Sequence, residues 1–138
     1  MHTLSQTEKN HIDSLISHVL NQDKRVIFAY LYGSFVCKTI FRDIDVFVYT
    51  RKGENTFVTQ SGIRDNIYEA VIRAEFHNIG IDGIDVRVIN DAPYDFVIDI
   101  LDKGILLVDK NRELRTDYIE QISDQYRVNY FILDEAYR

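Results

Sequence analysis

A single cysteine in 138 residues, Cys37, excludes an internal disulfide, and a reducing cytoplasm is the natural setting for such a chain. No run approaches the roughly 18 consecutive apolar residues that a membrane span requires. The first residues, Met1-His2-Thr3-Leu4-Ser5-Gln6, lack a basic start followed by an apolar stretch, so no secretory signal peptide is expected. Basic charge is also in short supply: a net charge of −6 argues against a surface that coats nucleic acid. Repeats, low-complexity tracts and linkers are missing as well. What is present, 46% hydrophobic and 28% charged residues, is ordinary for a soluble globular chain. The length suits one domain, residues 1–138, burying roughly two-thirds of its unfolded surface.

Helices and strands alternate along the chain. Ser5 with Glu8 makes a capping box ahead of a helical stripe of Ile12, Leu15, Ile16, Val19 and Leu20. Residues 25–32 are a nearly continuous apolar run, the pattern of a central strand buried on both faces. A short helix is expected over 34–38, a second strand over 43–50 and an exposed polar loop over 51–60. Ile63, Ile67, Ala70, Val71 and Ala74 mark a long helix ended by Gly80. Residues 84–90 form a third strand. Asp91 and Pro93 then open a helix with Phe96, Val97, Ile100 and Leu101 inward, stopped at Gly104. A short strand over 105–108 leads to a long amphipathic helix at about 113–136. Tyr118, Tyr126, Tyr130, Phe131 and Tyr137 enrich that last helix in aromatics, which either cover the sheet or build a partner or homo-oligomer surface.

The chemistry gathers around Tyr32-Gly33-Ser34 and, eight residues later, Asp43-Ile44-Asp45-Val46-Phe47-Val48. A glycine-serine turn ends one apolar strand, and two carboxylates open the next. Residues i and i+2 of a strand share a face, roughly 7 Å apart, and like charges that close are costly unless a cation neutralises them. Backbone N–H groups at Gly33 and Ser34, where a helix begins, are suited to phosphate. Asp85 shares one side of the third strand with Arg87, and pairing of that strand beside 43–48 brings Asp85 near Asp43 and Asp45. Oxygen-only, acid-rich clusters prefer Mg²⁺ or Mn²⁺, and two such ions can bridge a triphosphate.

A Gly-Ser turn, a short helix, Asp-x-Asp within an apolar strand and a later Asp in a second strand resemble the DNA polymerase beta nucleotidyltransferase superfamily. At this size the chain is similar to its minimal nucleotidyltransferases, the MNT or MntA-like proteins. The resemblance spans about Arg25 to Val108 and implies an α+β fold, a mixed sheet of about four to five strands with helices mainly on one side. It implies transfer of AMP, or another nucleoside monophosphate, from an NTP such as ATP. Members are often antitoxins partnered with HEPN-type toxins, and some attach AMP to a toxin tyrosine. Gly33 and Ser34 match the phosphate-gripping pair, Asp43 and Asp45 the metal-binding pair, and Asp85 the third carboxylate, which holds the catalytic metal and helps deprotonate the attacking hydroxyl. Many members carry arginine directly after Gly-Ser. Here Phe35-Val36-Cys37 follows, which leaves Lys38 and Arg42 as candidate nucleotide-binding cations.

Other readings fit the residues less well. Phe47 and Val48 occupy positions that an EF-hand loop reserves for a ligand and a glycine. His2, His11, His18 and His77 share no ligand spacing, and Cys37 has no histidine partner. Asp82, Asp91, Asp95, Asp99 and Asp102 read as caps and solvated helix faces, and Arg51-Lys52 as an exposed loop pair. An acidic chain of this size has too little surface to clamp DNA or tRNA, and transfer to an antibiotic normally needs an added substrate domain. A non-catalytic antitoxin that neutralises by binding is the alternative from another class.

Overall fold

The computed structural model describes residues 2–37 and 40–136, with side chains over 3–36 and 40–128. The elements run β1 (His2–Thr3), α1 (Gln6–Gln22), β2 (Val26–Tyr32), α2 (Ser34–Cys37), β3 (Ile40–Phe41), β4 (Ile44–Thr50), α3 (Thr56–Arg73), β5 (Ile84–Val88), α4 (Tyr94–Lys103), β6 (Ile105–Asp109) and α5 (Arg112–Ala136). Four strands form one mixed sheet in the order β5-β4-β2-β6, parallel only between β4 and β5. The two-residue strands β1 and β3 pair separately. Among the described residues, no helix is long and apolar enough to cross a membrane.

The central strands β2 and β4 are apolar on both faces, so each face must be covered. Ala29, Leu31, Val46, Val48 and Val86 meet Ile12, Ile16 and Leu20 of α1 and Ile63, Ile67 and Val71 of α3. On the opposite face Phe28, Tyr30 and Phe47 meet Val97 and Ile100 of α4 and Tyr118 and Ile122 of α5. Helices therefore pack on both sides of the sheet, whereas the family resemblance implied mainly one. Tyr118 covers the sheet and donates from its hydroxyl to the Ile89 carbonyl at 2.7 Å, while Tyr126 is exposed. Tyr137 and the side chains of Tyr130 and Phe131 lie outside the described residues.

Parallel strands need a crossover, and α3 supplies it between β4 and β5. It begins earlier than the polar sequence of 51–60 predicts. The Asn55 carboxamide oxygen accepts from Val58 N at 2.9 Å and caps a helix starting at Thr56, so the loop is confined to 51–55. The helix also ends earlier, at Arg73 rather than Gly80. Glu75 N donates to Ile72 O at 2.9 Å and Phe76 N to Val71 O at 3.1 Å, the paired bonds of a Schellman ending. Gly80 instead precedes a single 3₁₀ turn, Ile81–Gly83. In α4, Val97 and Ile100 are buried as expected, but Phe96 stands 39% exposed and Asp91 makes no cap.

Side chains finish the strand ends. Asn90 accepts from Thr50 N at 2.9 Å and donates to Thr50 O at 2.7 Å, copying one more step of the β4–β5 ladder. Gln60 of α3 accepts from Val88 N at 2.9 Å and so ties the crossover helix to β5.

The Schellman ending places Glu75 at φ 68, a left-handed conformation usually taken by glycine. Relief of that strain outweighs glycine's greater freedom in the unfolded chain. Glu75→Gly should therefore raise stability by about 0.5–1 kcal/mol, measured by chemical denaturation, whereas Glu75→Ala should give no gain.

Candidate active site

β2 ends at Tyr32, and the chain turns at Gly33 into the four-residue helix α2. Gly33 has φ +99, and a Cβ built there would stand 2.6 Å from Asp45 Oδ2. Both the backbone angle and the close carboxylate thus demand glycine. The antiparallel β2–β4 ladder sets Tyr32 opposite Asp45, and the parallel β4–β5 ladder sets Asp45 opposite Asp85. Asp45 is therefore flanked by the glycine turn on one neighbouring strand and by a second carboxylate on the other. Asp43 lies just before β4 rather than within it, so β4 is one residue shorter than expected.

The electrostatics follow from that placement. Burial, then the charges of Asp85 and Asp43, push the Asp45 carboxyl up to about 6, with Arg87 opposing the shift. Arg87 donates from Nε to Asp85 Oδ2 at 3.2 Å. Among the described residues, no three His, Cys, Asp or Glu side chains stand close enough to form a ligand set as they are. The donors nevertheless fit a hard divalent cation: they are carboxylate oxygens only, they repel one another, and one is held directly over a glycine that leaves it room.

Around the carboxylates, Phe47 packs edge-on against Tyr32 at 6.2 Å and Phe96 at 5.6 Å. The Tyr32 hydroxyl donates to Asp99 of α4, and Lys103 Nζ lies 3.1 Å from the same carboxylate; the Tyr32 bond first, and then Lys103, draws its pKa down. Asp99, expected on a solvated helix face, is thus an anchor for the residue preceding Gly33. Its helical spacing carries no sign of that contact. On the other side of the turn, Phe35 is buried and packs edge-on against Phe41 at 4.8 Å. Lys9 of α1 donates to the Phe35 carbonyl at 3.0 Å, with its ammonium 5.4 and 5.5 Å from the two ring centroids. Lys9 was not anticipated, although its place on the stripe of Ile12, Ile16 and Leu20 was a usable signal.

Of the predicted nucleotide-binding residues, Ser34 and Arg42 are joined, Arg42 N donating to Ser34 Oγ at 3.5 Å, with the Arg42 side chain exposed. Lys38 lies outside the described residues, as does the Cys37 side chain. Arg51 and Lys52 stand at the far end of β4 and, with Thr50 and Asn90, line a hollow of about 330 Å³, and Arg51 pairs with Glu54.

A family model of polymerase beta nucleotidyltransferases matches residues 15–113, well over half the chain. The chain belongs to that family. Gly33, Asp43, Asp45 and Asp85 of this nucleotidyltransferase all fall inside the matched span. Comparison with curated proteins gives no match. Among solved structures it is similar to the tri-AMPylated Shewanella oneidensis HEPN toxin in complex with MNT antitoxin, at 13% identity and TM-score 0.60, over 94% of this chain and 99% of that one. A toxin–antitoxin MntA–HepT structure gives 13% identity and TM-score 0.57, over 97% and 100%. A toxin–antitoxin structure with AMP-PNP gives 16% and 0.60, over 91% and 98%. At such identities these likenesses establish the fold: the nucleotidyltransferase carries the expected mixed sheet flanked by helices.

The raised proton affinity of Asp45 has a measurable consequence. Its folded pKa, about 6, exceeds the unfolded value near 3.8, so the folded chain binds more protons between those values. Stability should fall as pH rises through that window and stay reduced above it. Asp45→Asn removes the charge. At pH 7 it should stabilise the protein by about 1 kcal/mol, after allowance for screening at a half-exposed site. The gain should vanish toward pH 4 and shrink when Mg²⁺ is added to both proteins. Matched denaturation curves test this, and an Asp45→Asn protein less stable at pH 7 would contradict it.

Proposed function

We propose that this nucleotidyltransferase transfers AMP from ATP to a tyrosine hydroxyl of a HEPN-type toxin and thereby serves as the antitoxin. The observation that carries the reading is the register that sets Asp45 beside Asp85, with the Gly33 turn against Asp45 on the opposite side. The fold shared with an MNT antitoxin bound to a tri-AMPylated HEPN toxin supports the acceptor, and the likeness to a toxin–antitoxin structure with AMP-PNP supports the nucleotide.

Asp43, Asp45 and Asp85 are the residues that would hold Mg²⁺, with Mn²⁺ as a substitute. When bound, such ions offset the charge of the triphosphate and of the departing pyrophosphate. The strand order β2-β4-β5 supports the following arrangement of the reactants. The turn at Gly33 and Ser34 takes the β- and γ-phosphates, with Arg42 beside it. Asp45 faces the α-phosphate, and Asp85, on the edge strand, meets the incoming hydroxyl. The hydroxyl oxygen bonds to the α-phosphorus as the bond to pyrophosphate breaks, and Asp85 accepts the hydroxyl proton. The packed rings of Tyr32, Phe47 and Phe96 would limit water on one flank.

A stoichiometric antitoxin is the second reading. It is favoured by Phe35, which fills the position after Gly33-Ser34 with a buried ring and no charge.

A HEPN-type toxin, incubated with this protein, Mg²⁺ and ATP labelled at the α-phosphate, should acquire label on tyrosine. Asp45→Asn and Asp85→Asn should each slow transfer by about 10²–10⁴-fold, and chelation of the metal should stop it. Toxin neutralisation by both variants, with no label from the wild type, would establish the binding-only protein instead.

A further inference from the structure

Arg87 follows Asp85 by two residues on the edge strand β5 and lies opposite Phe47 of β4. Side chains at i and i+2 leave a strand from one face, about 7 Å apart, and Arg87 folds back along its own strand to reach Asp85 Oδ2. The two side chains are 57% and 42% exposed, so the pair is weakly held and readily exchanged. Its partner is no ordinary surface carboxylate, because Asp85 stands beside Asp45, and the charge of Arg87 is felt at Asp45 as well. Arg87 also borders a hollow of about 460 Å³ shared with Gln60, Pro93 and Phe96, so its side chain has room to swing. Phe35, at the position after Gly33-Ser34, contributes no cation to a bound phosphate chain.

We propose that Arg87 is an exchangeable counter-ion: it pairs with Asp85 until a divalent cation takes that carboxylate, and its freed guanidinium then binds the anionic phosphates of the nucleotide. The inference rests on the metal-site reading given above. A hard dication bound directly by carboxylates outcompetes an exposed guanidinium, and a planar guanidinium is well shaped to grip phosphate oxygens. One side chain thus opposes metal binding in the free protein and favours nucleotide once metal is present.

The probes are Mn²⁺ alone, followed by the loss of its free-ion electron paramagnetic resonance signal, and AMP-PNP with Mg²⁺, followed by calorimetry. Arg87→Gln should tighten Mn²⁺ about three-fold without nucleotide and weaken AMP-PNP about ten-fold, with Arg87→Lys between wild type and Gln in both. Because Arg87 is exposed, both variants are expected to fold. Unchanged affinities in Arg87→Gln would make the pair an inert surface contact. Weaker AMP-PNP with unchanged Mn²⁺ would make Arg87 a phosphate ligand that never competes with metal. Either result overturns the exchange while leaving the metal site intact. Failure of the wild type to bind Mn²⁺ would remove the metal site and the exchange together.

Discussion

The parallel pairing of β4 with β5 is the constraint on which the site depends, because it holds Asp45 and Asp85 side by side. Neither carboxylate favours the arrangement. The register is fixed from the other face, where Ile84 and Val86 are buried against α1, α3 and the sheet. A slip of one residue would send those side chains toward the opposite face and remove Asp85 from Asp45. Burying each apolar side chain contributes about 1.5–3 kcal/mol, and several act together. The repulsion at a half-exposed carboxylate pair costs about 1 kcal/mol. The core therefore wins, and the fold holds an electrostatically unfavourable pair in place.

That arrangement works only if the strand ends are rigid. Asn90 prolongs the β4–β5 ladder, and Gln60 fastens α3 to the same strand. At the Gly33-Ser34 turn, Lys9 holds the Phe35 carbonyl between two aromatic rings, while Asp99 holds the Tyr32 hydroxyl from the opposite helical layer. Gly33 is thereby gripped on both sides by residues from different cores. Mobility is left to exposed Arg87, whose contact is weak enough to exchange.

The central strands were legible because continuous apolar runs have few alternatives, and the carboxylates because Asp-x-Asp and Asp85 each interrupt such a run. The short pairing of β1 with β3 was not legible, since two residues carry no period. The first turn of α3 was hidden by exposed Phe57 and Val58 next to polar neighbours, and only the Asn55 cap marks its start. The end of that helix was misplaced because Glu75 takes the left-handed position for which a glycine was sought at Gly80. Apolarity on both faces of residues 25–32 already pointed to helices on both sides of the sheet, against what the resemblance implied. Lys9 and Asp99 were missed because each acts through a tertiary contact, and sequence spacing does not report which helix faces which strand end.

The acidity of the chain bears on what kind of nucleotide the proposed site would accept. A triphosphate adds further negative charge to a cluster of carboxylates that already repel one another, and the net charge of −6 offers no long-range attraction. Arg87 is the cation whose charge is felt at Asp45, and it is already paired with Asp85. Free nucleotide is therefore repelled at distance and poorly compensated at contact. On the proposed reading, a nucleotide arriving with divalent cations would reverse both terms: its own charge is reduced, and the carboxylates that repel the phosphates would become ligands. The same carboxylates would then disfavour metal-free nucleotide, and selectivity for the metal complex would follow from the charge arrangement itself.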